Sequence, residues 1–213
     1  MGDLVDAREH LNELAPVLRR AITLDPASVA RLRGDEYTVS VLVTLPFNVL
    51  VARTIAASAA AWDVTVPAAD LLDWLDGDRP EPPAGDDARW RRGLPPSGGW
   101  RRVESVPDDV IRGLVRSGAL ALKDAAAREG VPGAQPRAEV ADALLDSVVL
   151  TVTADDDPTL TAQVTLRVLS ALTRMGFLAR GSHANIDRSG RWVRVAASYG
   201  SVFLEGPGGL ALA

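Results

Sequence analysis

Apolar residues recur at steps of three and four through Leu11, Leu14, Leu18 and Ile22, with Arg8, Glu9, Glu13, Arg19 and Arg20 on the other faces. That spacing predicts an amphipathic helix over residues 6–24, ended by Asp25-Pro26. His10 falls on it as a surface residue. From Tyr37 to Ile55 the period changes to two. Val39, Val41 and Val43 share a face, and Val49 and Val51 repeat the pattern after Leu45-Pro-Phe-Asn48. Two strands with a bend at the proline follow. A short strand over 63–66 leads into a short helix over 67–75, which Gly77 closes. Trp62 and Trp74 are placed in or beside the core.

The second half starts at Ser105-Val-Pro-Asp108, read as a variant capping box. Asp108 and Asp109 then sit at the positive end of a helix dipole, so this carboxylate pair is structural rather than a general acid and base. The helix runs toward Glu129, with Ser117-Gly118 as a candidate break and Gly130 as its stop. Residues 136–146 form another helix. The turn at Ala126 to Val131 faintly resembles that of a helix-turn-helix motif. The helix after it carries Glu139, Asp142 and Asp146 against Arg137 alone, which suits a phosphate-lined groove poorly. Residues 148–152 and 160–164 alternate around Asp155-Asp156-Asp157-Pro158 and read as a hairpin.

Residues 164–177 read as a helix with Val168, Leu169, Leu172 and Met175 on one stripe, Arg167, Ser170 and Arg174 on another, and Gly176 as the stop. A polar loop over 180–190 follows. Then comes a strand over 191–197, with Val193, Val195 and Ala197 facing one way and Trp192, Arg194 and Ala196 the other. Tyr199-Gly200 turns the chain into a return strand over 201–205, and residues 207–213 read as an unstructured tail. A strand-to-helix step occurs in both halves, at Val64-Thr-Val66 and Val164-Thr-Leu166.

The fold class expected is α+β, with two small α/β units, each a short antiparallel sheet with packed helices. Residues 1–78 form the first unit and 103–213 the second. Residues 79–102 are a connector rich in proline, glycine and Trp-Arg pairs.

Composition narrows the chemistry. The 213 residues are 47% hydrophobic and include no cysteine, so disulfides and thiolate chemistry are excluded. Lys123 is the only lysine among 23 basic residues, a bias that fits a GC-rich bacterial coding sequence. The acidic N-terminus is unlike a signal peptide, and the most apolar run, 39–52, is too short and interrupted for a membrane span. The expected compartment is the cytoplasm.

The net charge of −5 is unevenly spread: −6 over 1–78, +3 over 79–102, −6 over 103–166 and +5 over 167–194. Two basic islands therefore lie in an acidic chain. They can dock on acidic neighbours or bind an anionic partner locally. Helix, loop and basic hairpin are also the order of a winged-helix domain, which makes Arg167, Arg174, Arg188, Arg191, Trp192 and Arg194 candidates for nucleic-acid contact. The preferred reading is a core helix packed on a small sheet with solvated arginines. Trp90-Arg91-Arg92 recurs as Trp100-Arg101-Arg102. Such pairs stack on bases and phosphates, or they fasten a loop by laying guanidinium over buried indole. We favour the fastened loop, because exposed tryptophan is costly.

Catalytic motifs are sparse. His183 stands in a polar loop near Ser182, Asn185 and Asp187, the one candidate for a general base. Two histidines cannot build a histidine metal cluster, and the triple aspartate lacks the spacing of a calcium loop. No metal or cofactor is implied. The function expected is non-enzymatic binding or regulation through protein contacts, with a protein partner or self-association. Nucleic-acid binding through the 167–194 island is the alternative, and an enzyme using His183 the next. No membrane partner is expected.

Overall fold

The computed structural model describes residues 8, 10–46, 49–57, 62–128 and 138–206. Phe47 and Asn48 beside the expected bend at the proline, the stop at Gly130 with the turn after it, and the tail over 207–213 lie outside them. The chain divides into two compact units, Met1–Leu94 and Pro95–Ala213.

In the first unit a 3-10 turn, Asn12–Leu14, leads into helix α1, Ala15–Leu24, with Pro16 in the first turn, where its missing N–H costs nothing. Strands β1 (Val29–Gly34), β2 (Thr38–Leu45), β3 (Val49–Ala56) and β4 (Asp63–Pro67) precede helix α2 (Ala68–Asp76). They pair antiparallel in the order β4-β1-β2-β3, with Leu32 opposite Val41 and Val64, and Val43 opposite Val51. Leu14, Val17, Leu18 and Ala21 of the first turns and helix are buried, as are Leu71, Trp74 and Leu75 of α2. The two helices pack on each other and on this sheet. Gly77 ends α2 at φ 96, a left-handed value that a side chain would resist. The hairpin between β1 and β2 is held by Asp35, whose carboxylate accepts from the Tyr37 and Thr38 N–H groups. Those bonds hold the Asp35 pKa below its usual value.

The second unit contains β5 (Arg101–Pro107), α3 (Asp108–Arg128), α4 (Ala138–Leu145), β6 (Val148–Thr153), β7 (Thr161–Thr165), α5 (Leu166–Arg174), β8 (His183–Ser189), β9 (Trp192–Ala197) and β10 (Gly200–Glu205). The strands run antiparallel in the order β5-β8-β9-β10, and β6 pairs with β7. Helix α5 supplies the core: Leu166, Val168, Leu169, Ala171 and Leu172 are buried, with Met175 and Phe177 just beyond. Each large side chain among them contributes about 1.5–3 kcal/mol by leaving water.

Mixed helix and strand is what the pattern predicts, but the sheets are larger than expected. Three strands, β1, β5 and β8, account for the difference. In β1 only Ala30 and Leu32 carry the inward alternation, with Arg31 between them and Arg33 after. In β8, expected as part of a polar loop, only Ala184 and Ile186 do. Ser105 does not cap a helix. It lies in β5, where Val103 and Val106 are buried and the backbone pairs with β8; strand pairing overrides the cap, and Ser105 Oγ bonds Asn185 instead. Strand β7 also extends to Thr165, so α5 begins at Leu166.

Helix α3 is unbroken at Ser117-Gly118. A Cβ on Gly118 would come within 2.4 Å of the buried Leu166 side chain. Glycine is thus the residue that lets α3 pass close to the start of α5. Helix α4 buries none of its own residues. It is fixed by Arg167 of α5, whose guanidinium donates to Asp146 at 2.7 Å and Asp142 at 3.2 Å. Arg167 is only 7% exposed, not solvated as the helical pattern implied. Burial opposes its charge, but the two carboxylates outweigh that and raise its pKa.

Gly118→Leu should overpack this crossing and lower stability by about 1–3 kcal/mol in urea unfolding. A stability equal to that of the native chain would show that α3 is free to shift.

Candidate functional site

The two Trp-Arg-Arg motifs are placed alike in one respect. Trp100 lies under a guanidinium from β9: Arg194 Cζ is 4.5 Å from its ring centre. Its indole N–H donates to the Pro96 carbonyl at 3.0 Å, and its ring meets Phe203 at 5.7 Å. Trp90 lies under Arg31 of β1 at 5.9 Å, with its indole nitrogen out of solvent. In both cases an arginine from a strand covers the indole face that a stacked base would need.

Around Trp100 a carboxylate is shared. Asp187 of β8 is 3% exposed. It accepts from Arg102 Nε at 2.6 Å on one oxygen and from Arg194 Nε at 3.0 Å on the other. Such charge-assisted bonds to both oxygens are what make burial of the carboxylate tolerable. Arg101 pairs with Asp157 of the acidic turn at 3.0 Å. Hydrogen bonds from Thr159, then from Arg101, hold the Asp157 pKa low.

The other candidates are scattered. Arg188 donates to the carbonyls of Thr161 and Gly190. Arg191 pairs with Glu205. Trp192 is buried and cannot offer its face. Arg167 is the α4 anchor described above. Arg174, in the last turn of α5, is exposed. His183 is exposed at the first position of β8, opposite Pro107. Among the described residues no group of three or more His, Asp or Glu is placed to hold a metal ion, and no helix is long and apolar enough to cross a membrane.

In the first unit, residues 85–90 run along the outer edge of β4. The Asp86 N–H donates to the Thr65 carbonyl at 2.7 Å, and the Asp87 carboxylate accepts the Thr65 N–H at 2.8 Å. Gly85 fits where a Cβ would lie 2.7 Å from Val64. The segment thus satisfies a strand edge that would otherwise be open to pairing. Arg31 braces it, with Asp63 at 2.6 Å and Asp87 at 4.0 Å. The Arg31 hydrogen bond lowers the Asp63 pKa and raises that of Arg31.

Beside this segment is an open cleft of about 420 Å³. Asp25 and Ser28 line it from the α1–β1 turn, Thr44 from β2, and Asp86, Arg89 and Arg91 from the segment itself. Arg91 was flagged by its motif; Arg92, its neighbour, is half-buried and engaged elsewhere. Arg89 and the floor residues carry no sequence signal, because they meet only through the fold. A second group escaped the sequence pattern: Arg112, Arg116 and Lys123 recur at four and seven along α3, with Asp109 on the same stripe. Arg180 flanks the start of that helix, since Gly181 N–H donates to Asp108.

Residues 95–209 match a family described as a domain of unknown function, DUF8185, and residues 4–92 match another so described, DUF8010. The first match takes in more than half of the chain. The chain belongs to the DUF8185 family. No curated protein matches its sequence. Among solved structures this DUF8185 member is similar to a DNA polymerase sliding clamp from Bacillus subtilis, with TM-score 0.56 and 11% identity, covering 95% of this chain and 63% of that one. It is also similar to the beta subunit from DNA polymerase of Streptococcus pyogenes, with TM-score 0.55 and 9% identity over 89% of this chain and 61% of that one. A DnaN sliding clamp from Bartonella birtlesii bound to griselimycin gives TM-score 0.55 and 12% identity, covering 95% and 64%. The chain spans a little over three fifths of the length of these clamps. At such identities the likeness is one of fold.

Two outcomes are expected. Asp187→Ala should cost about 1–3 kcal/mol, because it orphans two guanidiniums, whereas Arg102→Ala, half in solvent, should cost about 1 kcal/mol or less. Urea unfolding of both variants checks the order. For Asp63 the folded pKa is lowered, so its contribution is present above the unfolded value of about 3.9 and is lost as pH falls through the folded value. Asp63→Asn should therefore lower the melting temperature near neutrality, with the deficit closing below about pH 4.

Proposed function

We propose that the protein is a non-enzymatic scaffold on the sliding-clamp fold, which works in the cytoplasm, holds protein partners or further copies of itself, and associates with DNA. The observation that carries this reading is the resemblance to sliding clamps over 89–95% of the chain. The paucity of catalytic groupings in the sequence is consistent with it. His183 stands at a strand end and does not line the cleft.

The nucleic-acid reading survives in altered form. Helix α5 buries every residue from Leu166 to Leu172 except Ser170 and is not free to enter a groove as a winged helix requires. Arg167, Arg188, Arg191 and Arg194 are bonded within the protein. Exposed cations that can face phosphate are instead Arg116 and Lys123 of α3, with Arg174 and Arg180.

A clamp that slides leaves a linear duplex at its ends and stays on a closed circle. Retention on nicked circular duplex at physiological salt, lost on linearisation, is the expected result. Size-exclusion chromatography with light scattering would report self-association alongside. Arg116→Glu/Lys123→Glu should weaken DNA binding and flatten its salt dependence by a slope of about 2. Equal binding to circle and line would mean ordinary groove or backbone contact, and no binding to either at low salt would remove DNA from the proposal.

A further inference from the structure

We propose that the cleft beside Arg89 and Arg91 binds an extended peptide segment of mixed charge, contributed by a protein partner. The proposal rests on the scaffold reading and gives it a site. Arg89 and Arg91 are exposed and form no ion pair with another described residue, whereas Arg19, Arg31, Arg33, Arg53 and Arg79 of the same unit each face a carboxylate. In an acidic chain, two exposed guanidiniums with no ion-pair partner among the described residues, over one cleft, mark a place where an outside anion is accommodated.

Their backbone is held. Arg89 N–H donates to the Asp86 carbonyl and Trp90 N–H to that of Asp87, while Asp86 and Asp87 are bonded to Thr65. Trp90 turns inward beneath Arg31, and Arg89 and Arg91 on either side of it line the cleft. A ligand therefore meets a segment that is already ordered, which lowers the entropy lost on binding.

The remaining lining selects the ligand. Asp25 and Asp86 stand in the same cleft as the arginines. A polyanion such as nucleic acid would be repelled by them, and a purely basic segment by the arginines. A stretch with an acidic side chain next to a basic one satisfies both. Thr44 adds a hydroxyl on the floor. The cleft is open rather than enclosed, which suits a chain that continues on either side more than a small molecule buried on most of its surface.

The test uses the whole protein and an acetylated, amidated hexapeptide of alternating glutamate and arginine, with hexaglutamate, hexaarginine and a short DNA duplex as comparisons. Fluorescence anisotropy gives affinity, and NMR of arginine side-chain N–H groups gives the site. The alternating peptide is expected to bind about tenfold or more tightly than either homopolymer and to shift Arg89 and Arg91. Arg89→Gln/Arg91→Gln, at exposed positions, should keep the melting temperature and lose about tenfold in affinity. Hexaglutamate or duplex binding as tightly as the alternating peptide, or a double variant that binds unchanged, would overturn the proposal. The double variant also goes through the circular-duplex assay. Circle retention without peptide binding in the native protein would overturn the cleft alone; peptide binding at Arg89 and Arg91 without circle retention or self-association would overturn the clamp-like DNA association and self-assembly and keep the cleft.

Discussion

A carboxylate buried between two guanidiniums organises the second unit. Asp187 joins β8 to β5 through Arg102 and to β9 through Arg194, and Arg194 in turn covers Trp100. An isolated carboxylate at that depth would be neutralised or expelled. With both oxygens occupied it becomes a fixed point that three strands share. The basic residues around it are thereby committed to the fold, and little of their charge remains to act outward. Arg167 repeats the arrangement with the signs exchanged: one buried guanidinium between two carboxylates holds a helix that has no buried residues of its own.

The first unit solves a different problem with similar chemistry. Its outermost strand, β4, is finished by residues 85–90 rather than by another strand. The main chain of Asp86 and the side chain of Asp87 stand in for the neighbouring ladder. Arg31 ties the arrangement together by meeting Asp63, Asp87 and the Trp90 ring at once. What composition marks as a proline-rich connector is, over these residues, part of the sheet's hydrogen bonding.

Much of the architecture was legible where burial is carried by local pattern. The valines of β2 and β3, the β6–β7 hairpin, the β9–β10 return and the glycine stops at Gly77 and Gly176 follow from periodicity and backbone chemistry. Strands β1, β5 and β8 were not legible: the inward positions of β1 and β8 are alanine, leucine and isoleucine set beside arginines or an aspartate, and those of β5, Val103 and Val106, lie three apart rather than two. Burial of Asp187 depends on Arg102, 85 positions away, and no window of sequence contains both. The candidate residues suffered the same limit. Arginine density in 167–194 was plain, but which arginines already had partners was not. The cleft joins Asp25, Thr44 and Arg91, which nothing in their spacing connects.

The cover on β4 also fixes where the first unit ends as a folding body. Its last α-helix stops at Asp76, yet the hydrogen bonds of Thr65 are completed only by Asp86 and Asp87. A chain severed soon after α2 would keep every apolar residue of that helix pair and still present a bare strand edge, the kind of surface on which identical molecules join into aggregates. The first unit as a folding body therefore extends about a dozen residues beyond the boundary that helix and turn signals suggest.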